Sequence, residues 1–144
     1  MIEGVRITSK QTFAGDKGTV KHMLRSDDEG FEGFGEIYFS LIYPNCVKAW
    51  HLHKKKQVNY AVPAGSVRFV LFDDRVESKT RALLQKIVLG EDNYCLLTVP
   101  KMVWVGFQCI SDSAALIANC ATAPFDPDYD IQLKPDDPQI PFSW

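Results

Sequence analysis

The chain has 144 residues, 46% of them hydrophobic, and a formal net charge of -2, which is enough for one domain with a real core and too little for two. With a pI near 5.9 it lacks the basic surface that neutralising phosphates requires, which excludes a general nucleic-acid binder. Its start, Met1-Ile2-Glu3-Gly4-Val5-Arg6, has no apolar secretion signal and no apolar run reaches membrane-spanning length, so a single cytoplasmic domain over residues 1–144 with no membrane partner is expected.

Short stretches of strand character, bounded by Gly, Pro, Asp or Asn, follow one another along the chain. They cover residues 35–43, 57–62, 66–72, 85–89, 95–99, 103–110 and 114–120. Alternation is clearest where Val58, Tyr60 and Val62 share a face. Pro63-Ala64-Gly65-Ser66 reads as a tight turn, with Pro fixing φ and Gly open to positive φ, and Glu91-Asp92-Asn93 reads as another. Residues 77–84 fit either a helical turn or a hairpin loop. Pro100 ends the stretch before it, since it cannot donate to a ladder. The tail is rich in Pro and Asp, yet Phe125, Tyr129, Ile131, Leu133, Ile140, Phe142 and Trp144 predict that it packs on the body. This pattern of short strands and turns predicts an all-β sandwich or barrel. Cys46, Cys95, Cys109 and Cys120 form no CxxC pair, and the last three sit in apolar stretches where a free thiol acts as a small hydrophobe.

Residues 47–57 carry the chemistry. Val47-Lys48-Ala49-Trp50-His51-Leu52-His53 is followed at once by Lys54, Lys55 and Lys56. On a strand, His51 and His53 project from one face. Two imidazoles there make either a metal half-site or a metal-free acid/base centre, since imidazole changes charge near neutral pH and a nearby ammonium stabilises an anion formed by proton removal. The lysine run reads as a solvated turn or as a rim facing an anion.

His51 and His53 match the HxH pair of metal-binding cupins, and the chain resembles that superfamily of double-stranded β-helix jelly rolls. Gln57 and Val105 stand where such cupins place an acidic ligand and a third His, which leaves too few donors for a divalent ion. The closer resemblance is to metal-free cupins: dTDP-4-dehydrorhamnose 3,5-epimerases and dTDP-sugar 3,4-ketoisomerases. Gly15-Asp16-Lys17-Gly18 is similar to the epimerases' D-x-R-G, and Lys48-Ala49-Trp50-His51 to their R-G-L-H. Residues 99–107 resemble I-P-x-G-x-A-H-G-F, residues 110–114 resemble L-S-D-x-A, and residues 135–144 resemble W-N-D-P-x-I-x-I-x-W. The ketoisomerases' H-x-H-K-K with a following G-S reads onto His51, His53, Lys54, Lys55, Gly65 and Ser66.

The resemblance implies a cofactor-independent, metal-free isomerase of deoxysugar biosynthesis acting on a nucleotide-diphosphate sugar, and a homodimer. His51, held by Asp137, is the expected base that takes the proton α to the C4 ketone of a 4-keto-6-deoxyhexose. Lys56 is the first choice for stabilising the enolate, and His53 for relaying the proton. Lys17, Lys48, Lys54, Arg25 and Arg6 are expected at the substrate, chiefly as diphosphate contacts, with Tyr60 in the pocket and Trp50 and Trp104 at its wall. Tyr38 or Phe39 either stacks on the base or packs in the sheet. The epimerases' acid tyrosine falls near Ala118 or Asn119, and their second His on Val105, so the opposite-face donor is missing unless Tyr60, Tyr38 or a water replaces it. Three functions stay open on these residues: epimerase, 3,4-ketoisomerase, and a non-catalytic sugar-nucleotide binder.

Overall fold

Side-chain alternation decides how the strands stack. Val58, Tyr60 and Val62 all turn into one core, as the period of two predicts, and so do Val67, Phe69 and Leu71 a turn later. The computed structural model describes all residues, 1–144, and holds twelve strands with no helix. Two five-stranded antiparallel sheets face each other as a double-stranded β-helix jelly roll. The first runs in the order β1 (Arg6–Ser9), β9 (Cys95–Val99), β6 (Val58–Ala64), β11 (Ala115–Ala121), β4 (Glu36–Ile42). The second runs β12 (Asp130–Gln132), β5 (Val47–His53), β10 (Trp104–Cys109), β7 (Ser66–Phe72), β8 (Leu84–Gly90). A separate hairpin, β2 (Thr12–Gly15) and β3 (Gly18–Lys21), projects from the body.

A core of 21 residues fills the space between the sheets. A second, smaller cluster lies on the outer face of the second sheet, where Trp50, Leu52, Val70, Phe72 and Trp104 meet Ile140 of the tail. Phe142 and Trp144 pack against the same cluster, so the apolar tail does dock on the body. Gly106 makes this docking possible: a Cβ there would come within 2.5 Å of the Trp144 ring. The β10 to β5 register shifts between Val105 and Phe107 at this point, which lets the indole approach the backbone.

The segment 77–84 resolves as turns leading into β8, the hairpin alternative, with β7 pairing β8 along its whole length. That loop is built on Asp73, whose carboxylate is fully buried and accepts hydrogen bonds from Arg75, Ser78 and Thr80. Strands β1, β2, β3 and β12 have no counterpart in the sequence reading. Each is three or four residues long, too short to display a period. All four cysteines are free thiols. No helix is long and apolar enough to cross a membrane.

Candidate active site

Strand β5 alternates from Trp50 to His53, and the register irregularity against β10 brings Lys48 round to the face of the two histidines. Trp50 and Leu52 turn outward under the tail, while Lys48, His51 and His53 turn into a cavity of about 480 Å³ between the two sheets. The opposite wall comes from the first sheet: Glu36, Tyr38 and Ser40 of β4, Tyr60 of β6, and Asn119 of β11. Phe107 of β10 forms the floor against the His51 ring, at 6.1 Å between centroids. Lys56 and Phe125 complete the rim.

The short strand β12 supplies the carboxylate. It pairs antiparallel with β5 so that Asp130 stands opposite His53 and Gln132 opposite His51, and opposed residues share a sheet face. Asp130 Oδ1 lies 2.7 Å from His53 Nδ1. Its other oxygen accepts from Lys56 Nζ at 2.8 Å and from the Asp126 amide at 3.0 Å. Lys56 also donates to Glu36 Oε1 at 3.2 Å and to the Pro124 carbonyl at 3.5 Å. An ammonium has three protons, and three protein acceptors occupy them. Lys56 therefore clamps Asp130, Glu36 and the Pro124 carbonyl together at the edge of the cavity.

Burial lowers the pKa of His51 to about 4, assisted by His53 and Lys48 nearby, and Asp130 offsets this only in part. Burial also lowers His53, against the opposing pull of its Asp130 hydrogen bond. For Asp130, burial would raise the pKa, but the Lys56, Asp126 and His53 donors together hold it below the ordinary carboxylate value. Both imidazoles are thus neutral at pH 7, and Asp130 is ionised. With Nδ1–H donated to Asp130, His53 keeps Nε2 as a free proton acceptor. Because the competent form is the neutral one, kcat/KM should stay flat as pH drops through 6.5, the ordinary imidazole value, and fall only in more acidic solution. A pH–rate series with its acid limb centred at or above that value would contradict the assignment.

The site gathers His51, His53, Lys48, Lys56, Tyr60 and Tyr38 of the expected residues and leaves out the others. Asp137 does not hold His51: its carboxylate accepts from the Gln139 amide at 3.0 Å, and it borders a separate groove of the tail. Trp104 and Trp50 lie on the outer face of the sheet, away from the cavity. Lys54 is exposed beside the rim and gives only its backbone amide, to Tyr129 O. Lys17 sits at the tip of the β2–β3 hairpin and Arg25 pairs with Asp27 in solvent, so neither lines the cavity of its own chain. Arg6 donates to Gly30 O and Gln57 Oε1 on the outer side of the first sheet. Gln57 in turn donates to Gly30 O, away from the imidazoles, and Val105, opposite His51 in register, puts an apolar side chain into the core, so neither of the two positions where metal cupins carry ligands offers a donor beside the imidazoles. Tyr38 faces the cavity, whereas Phe39, its neighbour on β4, faces solvent. Asp130 and Glu36 were missed. The only trace of Asp130 in the sequence is the polar, apolar, polar alternation of Asp130-Ile131-Gln132.

The family model for dTDP-4-dehydrorhamnose 3,5-epimerase matches residues 1–144. The spore coat polysaccharide biosynthesis protein SpsL of Bacillus subtilis is 32% identical over 146 residues, covering 100% of this chain and 97% of that one. The probable low-salt glycan biosynthesis epimerase Agl13 of Haloferax volcanii is 34% identical, covering 98% and 88%. A crystal structure of a dTDP sugar isomerase from Desulfovibrio desulfuricans G20 superposes with a TM-score of 0.97 at 42% identity, over 99% of this chain and 92% of that chain.

Proposed function

The chain belongs to the dTDP-4-dehydrorhamnose 3,5-epimerase family, and on that premise we propose that it inverts a carbon α to the ketone of a dTDP-linked 4-keto-6-deoxyhexose. It is an isomerase of deoxysugar biosynthesis. The observation that carries the chemical reading is the His53 to Asp130 pair at 2.7 Å, set on one wall of a cavity large enough for a sugar. A carboxylate on Nδ1 fixes the tautomer and raises the basicity of Nε2. His53 is therefore the better base, in the role that the resemblance implies for His51. His51 makes no side-chain hydrogen bond and stays neutral, so its N–H is free to donate to the enolate oxygen. The ketone itself acidifies the α C–H bond, and the scheme calls on no cofactor. Lys48, whose Nζ reaches Ser40 and Leu41 O at the cavity mouth, is the contact for the substrate diphosphate within one chain.

Proton NMR of a dTDP-linked 4-keto-6-deoxyhexose in deuterated water tests the scheme. Deuterium should enter the carbon next to the ketone with the native protein and with His22→Asn. It should enter at a rate lower by about 10²-fold or more with His53→Asn. Exchange that persists undiminished in His53→Asn would sink the assignment. A second reading, 3,4-keto isomerisation, is favoured by one observation: both imidazoles stand on the same strand face, which suits moving a proton between adjacent carbons from one side. The product spectrum separates a 3-keto isomer from an epimer.

A homodimer and a cytoplasmic location belong to the same proposal. Edge strand β4 turns Ile37, Phe39 and Leu41 outward, and the β2–β3 hairpin exposes Phe13 and Val20. Such a stripe on an unpaired edge calls for a cover, and a second copy would supply one. Unpaired thiols at all four cysteines suit a reducing compartment. The double variant Phe39→Asp, Leu41→Asp should shift the mass seen by light scattering from twice the 16.3 kDa chain mass to one chain. An unchanged mass would place the interface elsewhere.

A further inference from the structure

Inversion at a carbon needs two groups on opposite sides: one removes the proton from the first face and another delivers a proton to the second. The histidines supply the first side, from the second sheet. Across the cavity, on the first sheet, two phenols stand in place. Tyr38 and Tyr60 are both register partners of Asn119, one on each neighbouring strand, so all three project from the same sheet face toward the imidazoles. Asn119 itself has no acidic proton, and its amide nitrogen is bound to Tyr38 O and Ile117 O.

We propose that Tyr60 is the proton donor that completes the inversion, an assignment that rests on the epimerase reading above. Three observations support it. The residue is 2% exposed, its ring is set against Phe69 at 5.4 Å, and its hydroxyl has no hydrogen-bond partner in the protein. The only sealed side-chain polar atom lacking a partner is Trp144 Nε1, so the Tyr60 hydroxyl must open onto the cavity that the residue lines. Finally, Lys56, the cation nearest the dyad, has its protons committed to Asp130, Glu36 and Pro124 O. Tyr38 is the less suited phenol, since it is 41% exposed on the edge strand, where water competes with it. Burial, with Tyr38 and Asp130 nearby, raises the Tyr60 pKa well above its ordinary value. The phenol therefore carries its proton throughout the working range.

His53 Nε2 takes the α proton, and the C–H electron pair moves into the enolate, placing the negative charge on the ketone oxygen. As the C=O bond reforms, the α carbon takes the Tyr60 hydroxyl proton on its other face. Imidazolium and tyrosinate remain. Water returns a proton to Tyr60 and accepts one from His53, which resets the site.

Tyr60→Phe tests the assignment with the same substrate in deuterated water, followed by NMR for both isotope entry and epimer formation. The hydroxyl has no protein partner, so the variant should melt where the native protein does. Deuterium entry on the histidine side should stay within a few-fold of native. Epimer formation should fall by about 10²-fold or more, with KM little changed. Three results overturn the proposal: native-rate inversion in Tyr60→Phe, loss of inversion in Tyr38→Phe instead, or loss of isotope entry together with inversion in a folded Tyr60→Phe protein. Fluorotyrosine placed at position 60 gives a second reading should the Phe variant misfold. Its more acidic hydroxyl should move the alkaline limb of kcat to lower pH, and a limb that stays put overturns the proposal. A native protein that exchanges deuterium without inverting removes the epimerase reading itself. Native inversion with an intact Tyr60→Phe rate removes only the donor.

Discussion

Asp130→Asn is expected to lower kcat by about 10²- to 10⁴-fold while leaving the fold and KM nearly intact. The reason is tautomeric. The asparagine carbonyl would keep the place of the oxygen that accepts from Lys56 and the Asp126 amide. Its NH2 group would then face His53 Nδ1, where the native oxygen sits at 2.7 Å. A donor in that place forces Nδ1 to accept and moves the ring proton to Nε2, the nitrogen that must take the substrate proton. The imidazole would be in the right place with the wrong proton. Steady-state kinetics with melting curves for both proteins check this, and a kcat within tenfold of native would remove the dyad from the mechanism. Asp137→Asn serves as the contrast: its carboxylate meets only the Gln139 amide among protein donors, so its kcat should match that of the native enzyme.

The second large effect is on stability. Asp73→Ala should cost about 3 kcal/mol, the lower end for breaking a buried ion pair, and lower Tm by roughly 10 °C for a chain of this size. Asp73 Oδ1 accepts from the Arg75 amide at 3.1 Å and Arg75 Nε at 2.8 Å. Oδ2 accepts from the Arg75 guanidinium at 2.9 Å and from the Ser78 and Thr80 hydroxyls, each at 2.6 Å. Removing the carboxylate strands all of those donors and releases Arg75, which also ties the loop to Glu3 O. The same residue sets part of the acid response. Burial would raise its pKa, but the Arg75, Ser78 and Thr80 hydrogen bonds win and hold it far below the ordinary carboxylate value. A carboxylate depressed in the folded state contributes in full above its unfolded pKa of about 3.9. That contribution drains away as pH falls from there toward the folded value. Urea unfolding at pH 7 and pH 3 should show a steeper loss for the native protein than for Asp73→Ala. Equal losses would mean that Asp73 contributes nothing to acid sensitivity.

Much of the barrel was legible because alternation is a local signal. Val58, Tyr60 and Val62 announced their shared face, and His51 with His53 announced theirs. Partners across the sheets were not legible. The carboxylate that holds an imidazole was expected at Asp137 from the likeness of the last ten residues. Instead it comes from a three-residue strand whose register alone sets it against His53. Trp104 was assigned to the pocket wall, yet the parity of β10 sends Val105 and Phe107 inward and Trp104 out. Lys56 was recognised as important, but its role depends on Glu36 and Asp130, which stand 20 and 74 positions away in the chain. Lys17 and Arg25 were read as substrate contacts from charge and motif, signals that do not specify which body a hairpin projects from.

The placing of β12 has a consequence for how the molecule comes into being. His53 waits 77 residues for its carboxylate, and until β12 arrives β5 is an unpaired sheet border with Trp50 and Trp104 bare on its outer side. During synthesis, the nearly finished polypeptide therefore presents a sticky rim at the very place where it will later work. A premature stop codon that removes the last ten residues would spare Asp130 itself, yet strip Ile140, Phe142 and Trp144 from the aromatic cover. The product to look for in such a cell is an aggregate, not an idle enzyme.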